Sequence, residues 1–224
     1  MSTTQSPENQ RVVDLANTIG LERLGIMSSQ AWYDDPQGLL FTLSRYKFVS
    51  RMFRGFERVL EIGCGDAFYS RIVQQQVKSL TVSDHDPLFV DDIATRNPDQ
   101  WKLDCLVFNP LVDKHKERYD GIYLLDVFEH IKPEDADDFT RNITSLLNDN
   151  GCLIIGAPSL ASQKYASEIS REGHVNCMSG KDFRAYFARF FNKVTLFSMN
   201  DEVLHTGFEE MSHYYFAMCD DLKK

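Results

Sequence analysis

The chain has 224 residues, 43% of them hydrophobic, enough to fill one ordinary core with a modest decoration. A formal charge of −9 argues against the concentrated basic surface that holds a nucleic-acid backbone, so a tRNA or rRNA substrate is not expected. Five cysteines, Cys64, Cys105, Cys152, Cys177 and Cys219, make no Cys-x-x-Cys pair and are odd in number; they read as buried, reduced thiols rather than a disulfide framework or zinc knuckle.

Residues 1–10 are polar, with no basic-then-apolar leader, and no apolar run approaches the roughly 18 residues that span a bilayer, so a soluble cytoplasmic protein is expected. Apolar residues at three and four spacing predict amphipathic helices over 11–24 and 41–53. Between them, at 32–41, Asp-Pro and Gly are expected to break the helix, leaving Trp32 and Tyr33 in search of a partner surface. From Arg58 onward short β-rich runs at 58–62, 80–84, 103–108, 119–126 and 151–157 alternate with helix-like segments. This order predicts right-handed crossovers, a parallel sheet covered on both faces, and a ligand beyond the carboxyl ends of its strands. After Pro158 a helix at 182–191 and strands at 193–199 and 212–219 are expected.

The ligand turn is the most informative segment. Residues 59–67 read Val-Leu-Glu-Ile-Gly-Cys-Gly-Asp-Ala, an apolar strand that carries Glu61 and runs into Gly63, Cys64 and Gly65, with a helix predicted over 66–75. The two glycines permit a tight turn and close approach of backbone to ligand. A dinucleotide fingerprint would place a third glycine at position 68, which is Phe68, so NAD is the weaker reading. Asp84, next to His85, closes the second strand, where one carboxylate can accept hydrogen bonds from both hydroxyls of a ribose.

Glu61 on the first strand, the Gly-x-Gly turn and Asp84 about twenty residues on together resemble the class I S-adenosylmethionine-dependent methyltransferases. The resemblance covers about residue 45 to the end. It implies a Rossmann-like, doubly wound, seven-stranded and mostly parallel α/β sheet ending in an antiparallel hairpin. It also implies a methyltransferase domain over 54–224 and an N-terminal helical cap over 1–53, with Trp32, Tyr33, Arg45 and Tyr46 as candidates to line the site. Further implied are S-adenosylmethionine as cofactor, no required metal, and Glu61, Gly63, Cys64, Gly65, Asp84 and His85 around the nucleoside. Asp126, from a fourth-strand motif that runs on to Glu129 and His130, is the candidate partner of the methionine ammonium. Where the family commonly has an acid for adenine this chain has Asn109, whose carbonyl oxygen can still accept, and the family's third glycine is Ala67.

The methyl acceptor is less legible. The segment 159–180 is too long for an ordinary connection and reads as a substrate lid containing His174 and Asn176. A second histidine, His205, follows in the loop at 200–207. A histidine suits removal of a hydroxyl proton during methyl transfer, which makes His174 the first candidate base and His205 the second. For His130, ordering of its turn through backbone hydrogen bonds is expected. The leading expectation is a small polar acceptor, with a sugar or sugar-nucleotide hydroxyl ahead of an amine or a quinone-like phenol. A cofactor-binding regulatory pseudoenzyme and a nucleotide-dependent oxidoreductase are the readings from other classes.

Overall fold

The computed structural model describes residues 4–96, 102–207 and 209–223. Eight strands form one sheet: β1 (Arg58–Ile62), β2 (Ser79–Asp84), β3 (Asp104–Val107), β4 (Tyr119–Leu125), β5 (Leu147–Pro158), β6 (Phe191–Asn200), β7 (Val203–His205) and β8 (Tyr214–Leu222). Their spatial order is β3-β2-β1-β4-β5-β8-β6-β7. The first five are parallel to one another, and β8 is inserted antiparallel between β5 and β6. The expected seven strands are all present. The eighth, β7, is a three-residue addition that folds back on the end of β6 and extends the sheet by one edge.

The central strands are nearly continuous apolar runs because both faces are covered. One face packs Leu60, Ile122, Leu124 and Ile155 against Phe139 and Ile143 of α6 (Ala136–Thr144) and Phe183 and Phe187 of α8 (Gly180–Phe187). The other packs Val59, Val82, Tyr123 and Ile154 against α3 (Pro36–Met52), α4 (Ser70–Gln74) and α5 (Pro87–Arg96). Strand order reverses between β1 and β4, so the loops leaving these two strands diverge and open a crevice at their carboxyl ends.

Three local expectations are corrected. Helix α1 (Gln10–Ile19) ends at Gly20, five residues short of the predicted limit, because Gly20 takes the left-handed φ of +84°. The segment expected to break the helix is itself largely helical, as α2 (Ile26–Asp34) followed directly by α3. Asp35 alone interrupts it and Pro36 starts the next helix, where its missing N–H costs nothing. The helix after the glycine turn begins at Ser70 rather than 66, since Asp66 to Tyr69 are used in the turn.

Candidate active site

At the end of β1 the chain turns through Gly63, Gly65 and Ala67 with φ of +73°, +54° and +54°. The left-handed conformation costs an L-residue about 1–2 kcal/mol, so Ala67 accepts a strain that a third glycine would avoid. Gly63 has a second reason to lack a side chain: a Cβ there would lie 2.3 Å from Cγ2 of Val127, on the loop leaving β4. The turn is pinned to its neighbour strand. Gly63 and Cys64 donate their N–H groups to the Ser83 carbonyl, and the Gly65 N–H donates to Asp84 Oδ2 at 2.9 Å. The other Asp84 oxygen accepts from the Asp86 N–H at 3.0 Å, with the exposed His85 ring 3.3 Å away. Asp84 is thus a buried carboxylate held by backbone donors, with lone pairs left over toward the crevice.

A cavity of about 420 Å³ occupies this crevice. Gly63, Gly65, Asp84, His85, Asn109 and Asp126 line it together, and Ile62, Phe89, Phe108 and Leu111 supply apolar walls. Met27 of α2 closes it from above; its sulfur would lie 2.7 Å from a Cβ placed on Gly65. The covering helix is clamped by Asp66, whose carboxylate accepts from the Ser28 N–H and hydroxyl at 2.7 and 3.0 Å. Asn109 is committed in part, because its side-chain oxygen caps the Leu111 N–H at 3.0 Å.

Two of the nominated residues face elsewhere. Glu61 is 1% exposed, and its oxygens accept from the hydroxyls of Tyr46 on α3 and Tyr123 on β4, each at 2.6 Å. Burial raises its pKa while the two tyrosines hold it down. Glu61 therefore fastens α3 to the sheet beneath the turn and supports the site from behind. Cys64 points into the same core, where burial pushes its thiol well up.

Asp126 also takes a left-handed φ, +56°, as β4 ends. Its carboxylate pairs with the Arg45 guanidinium at 2.6 Å, and that guanidinium lies 4.0 Å over the Tyr214 ring. Of the four candidate lining residues from the N-terminal helices, Arg45 reaches Asp126, which lines the cavity, and Tyr46 is buried against Glu61. Trp32 and Tyr33 are exposed.

Past Asp126, the one-turn helix Phe128–His130 brings in a group that sequence spacing did not pair. Ligand atoms of Glu129, His130 and His174 lie within 4.8 Å of one another. His174 caps the end of α7 (Glu168–Gly173), and Asn176 fixes this segment to the turn by donating its N–H to the Glu129 carbonyl at 2.9 Å. His130 Nδ1 meets a backbone carbonyl, but that of Gly173 at 2.9 Å at the end of α7 rather than one of its own turn, and His130 also lines the cavity. Burial, and then the neighbouring His130, lower the pKa of His174. Burial together with Asp126 raises that of Glu129. His205 is not brought to this place. It sits on the edge strand β7, with Nε2 2.7 Å from the Asn200 side-chain oxygen and Nδ1 accepting from the Gly207 N–H, so neither nitrogen is left to act as a base.

A family model described as a methyltransferase domain matches residues 37–195, from the start of α3 into β6 and over two thirds of the chain. The chain belongs to the class I S-adenosylmethionine-dependent methyltransferase family. No curated protein matches this methyltransferase significantly. Among solved structures it is similar to the N-methyltransferase NodS from Bradyrhizobium japonicum WM9 in complex with S-adenosyl-L-homocysteine. That likeness has 18% identity and a TM-score of 0.63, over 80% of this chain and 85% of that one. It is similar too to the plantazolicin methyltransferase BpumL in complex with S-adenosylhomocysteine, with 14% identity and a TM-score of 0.64, over 95% and 98%. The methyltransferase domain of bacterial CtHen1-C gives 14% and 0.65, over 80% and 98%. At these identities the likeness is one of fold.

Proposed function

We propose that this methyltransferase acts on a hydroxyl of a small polar molecule, with the cofactor lying across the Gly63–Gly65 turn and the acceptor entering beside His130 and His174. The observation that carries this reading is the shared cavity, whose lining includes Asp84, Asp126 and His130. The residues present fit S-adenosylmethionine group by group. Asp84 offers carboxylate lone pairs to a vicinal diol. Ile62, Phe89, Phe108 and Leu111 offer flat apolar contact for a base, with Asn109 at its edge. Asp126 and Arg45 present opposite charges 2.6 Å apart, the complement of an α-amino acid zwitterion.

When bound, the cofactor supplies a methyl group already activated on a sulfonium. What remains for the protein is to align the acceptor, exclude water and manage one proton. Met27 and the clamped α2 restrict water over the turn. His174, kept neutral by its lowered pKa, is available to accept a proton at pH 7. The segment from Ser159 to Asn176 carries exposed Leu160, Tyr165 and Ile169, apolar surface suited to covering an acceptor. Residues 1–53 serve in this reading as the cap over the other side.

An amine acceptor is the second reading, favoured by the likeness to the N-methyltransferase NodS. Formation of S-adenosylhomocysteine should be followed with a panel of hydroxyl, amine and phenol acceptors, beginning with sugars and sugar nucleotides. Turnover confined to hydroxyl acceptors, with an acidic limb below the ordinary histidine pKa of about 6.5, is the expected outcome. Turnover confined to amines would replace it by the second reading.

A further inference from the structure

Glu129 is 1% exposed, and neither of its carboxylate oxygens has a hydrogen-bond partner. Buried polar atoms are ordinarily satisfied, so a carboxylate with both oxygens unpaired calls for a partner that the protein itself does not supply. Ligand atoms of His130 and His174 lie within 4.8 Å of it, and the two imidazole rings are 5.1 Å apart. Each is oriented from its far side. His130 Nδ1 faces the Gly173 carbonyl, and His174 Nδ1 faces the Gln163 side-chain oxygen, both at 2.9 Å. The Gln163 amide is set by its own donation to the Ser159 carbonyl. Since both partners can only accept, each Nδ1 carries the proton and each neutral ring keeps its lone pair on Nε2. Histidines that bind metal ions are oriented in this way, with the distal N–H held by a carbonyl.

We propose that Glu129, His130 and His174 bind one divalent transition-metal ion at the acceptor end of the cavity, leaving its remaining positions open to oxygen atoms of the acceptor. Two imidazoles and one carboxylate favour zinc, manganese or cobalt over magnesium or calcium, which take oxygen ligands almost throughout. Asp126 stands close by but is engaged by Arg45, so it supplies negative potential rather than a ligand. With the ion bound His174 is a ligand and the acceptor's proton leaves to water from an ion-bound hydroxyl of lowered pKa, so the role of His174 as base belongs to the ion-free protein. A site of this kind selects acceptors that present a hydroxyl with a second oxygen next to it, which narrows the acceptor class; that part rests on the methyltransferase reading of the cavity, whereas the ion site does not.

The test is calorimetric titration of the full chain, stripped with chelator, with Zn²⁺, Mn²⁺, Mg²⁺ and Ca²⁺ in the absence of any cofactor. One site for Zn²⁺ or Mn²⁺ is expected, weakened at least tenfold in both Glu129→Gln and His174→Ala, with Mg²⁺ and Ca²⁺ much weaker. Circular dichroism and thermal melts establish that both variants fold, and each is titrated with S-adenosylhomocysteine, whose affinity should be unchanged. No binding of either transition ion to the native chain, or equal affinity in native and variant proteins, overturns the site. Ion binding that shows the tenfold losses in a chain that fails to bind S-adenosylhomocysteine supports the ion site and removes only the reading of the acceptor.

Discussion

The two ends of the cavity are built differently. At the cofactor end Gly63, Gly65, Asp84 and Asp126 sit at the ends of buried strands or in a turn tied to the next strand, as Gly65 is tied to Asp84 and Gly63 to Ser83. At the acceptor end the covering segment consists of a 3-10 stretch at Leu160–Tyr165 and the short α7, neither of which buries a single residue. The sheet therefore determines what is bound at one end by its own register. At the other end, the proposed acceptor segment is held to the sheet by few anchors, notably Asn176, whose backbone N–H and side-chain amide donate to the Glu129 and Phe128 carbonyls.

The largest expected effect breaks the rigid end. Asp84→Ala removes the acceptor for a diol and should weaken S-adenosylhomocysteine binding by roughly 1.5–3 kcal/mol, about 10- to 150-fold, with the fold retained. Calorimetry reads this directly, and unchanged affinity would take Asp84 out of the site. Next comes the support beneath the turn. Tyr46→Phe deprives the buried Glu61 Oε1 of its donor and should cost about 1–3 kcal/mol in denaturant unfolding. A loss of under 0.5 kcal/mol would mean that α3 is held by apolar packing alone.

A smaller effect concerns pH. Burial raises the Glu61 pKa in the folded chain, so the folded state keeps this proton to higher pH than the unfolded state does. Its contribution to stability is complete below the unfolded value of about 4.3 and is lost as pH rises through the folded value. Replacing it by Gln should remove that loss, so the stability difference between Glu61→Gln and the native chain should shift in favour of the variant from pH 4 to pH 7. A difference independent of pH would show that folding leaves the Glu61 pKa unshifted. The smallest effect is at the sheet edge: His205→Ala should leave turnover unchanged and stability within about 0.5 kcal/mol. A large loss of turnover would return His205 to the acceptor site.

What was legible in the sequence follows the same division. The strand β1 was read to the residue, and Gly63, Gly65 and Asp84 meet at the crevice, because buried strands and positive-φ turns leave strong local patterns. Glu61 was found but given the wrong neighbours. A period-two pattern says which face of a strand a side chain occupies, and Tyr46, fifteen residues earlier, decides what it meets there. The helical course of residues 26–34 was missed because Asp-Pro reads as a break, whereas Pro36 serves as a helix start. The Glu129, His130 and His174 cluster was out of reach, since 43 residues separate its two parts. The one available signal was a Glu-His pair directly after a strand end, with a histidine in a long loop downstream.

The most direct measurement is calorimetric titration of the folded chain with S-adenosylmethionine, S-adenosylhomocysteine and NAD in turn. Binding of the first two at one site, abolished or weakened at least tenfold by Asp84→Ala, with no heat from NAD, is the predicted result. A folded chain that ignores S-adenosylmethionine and its product, or that binds NAD in their place, would contradict the assignment of this cavity.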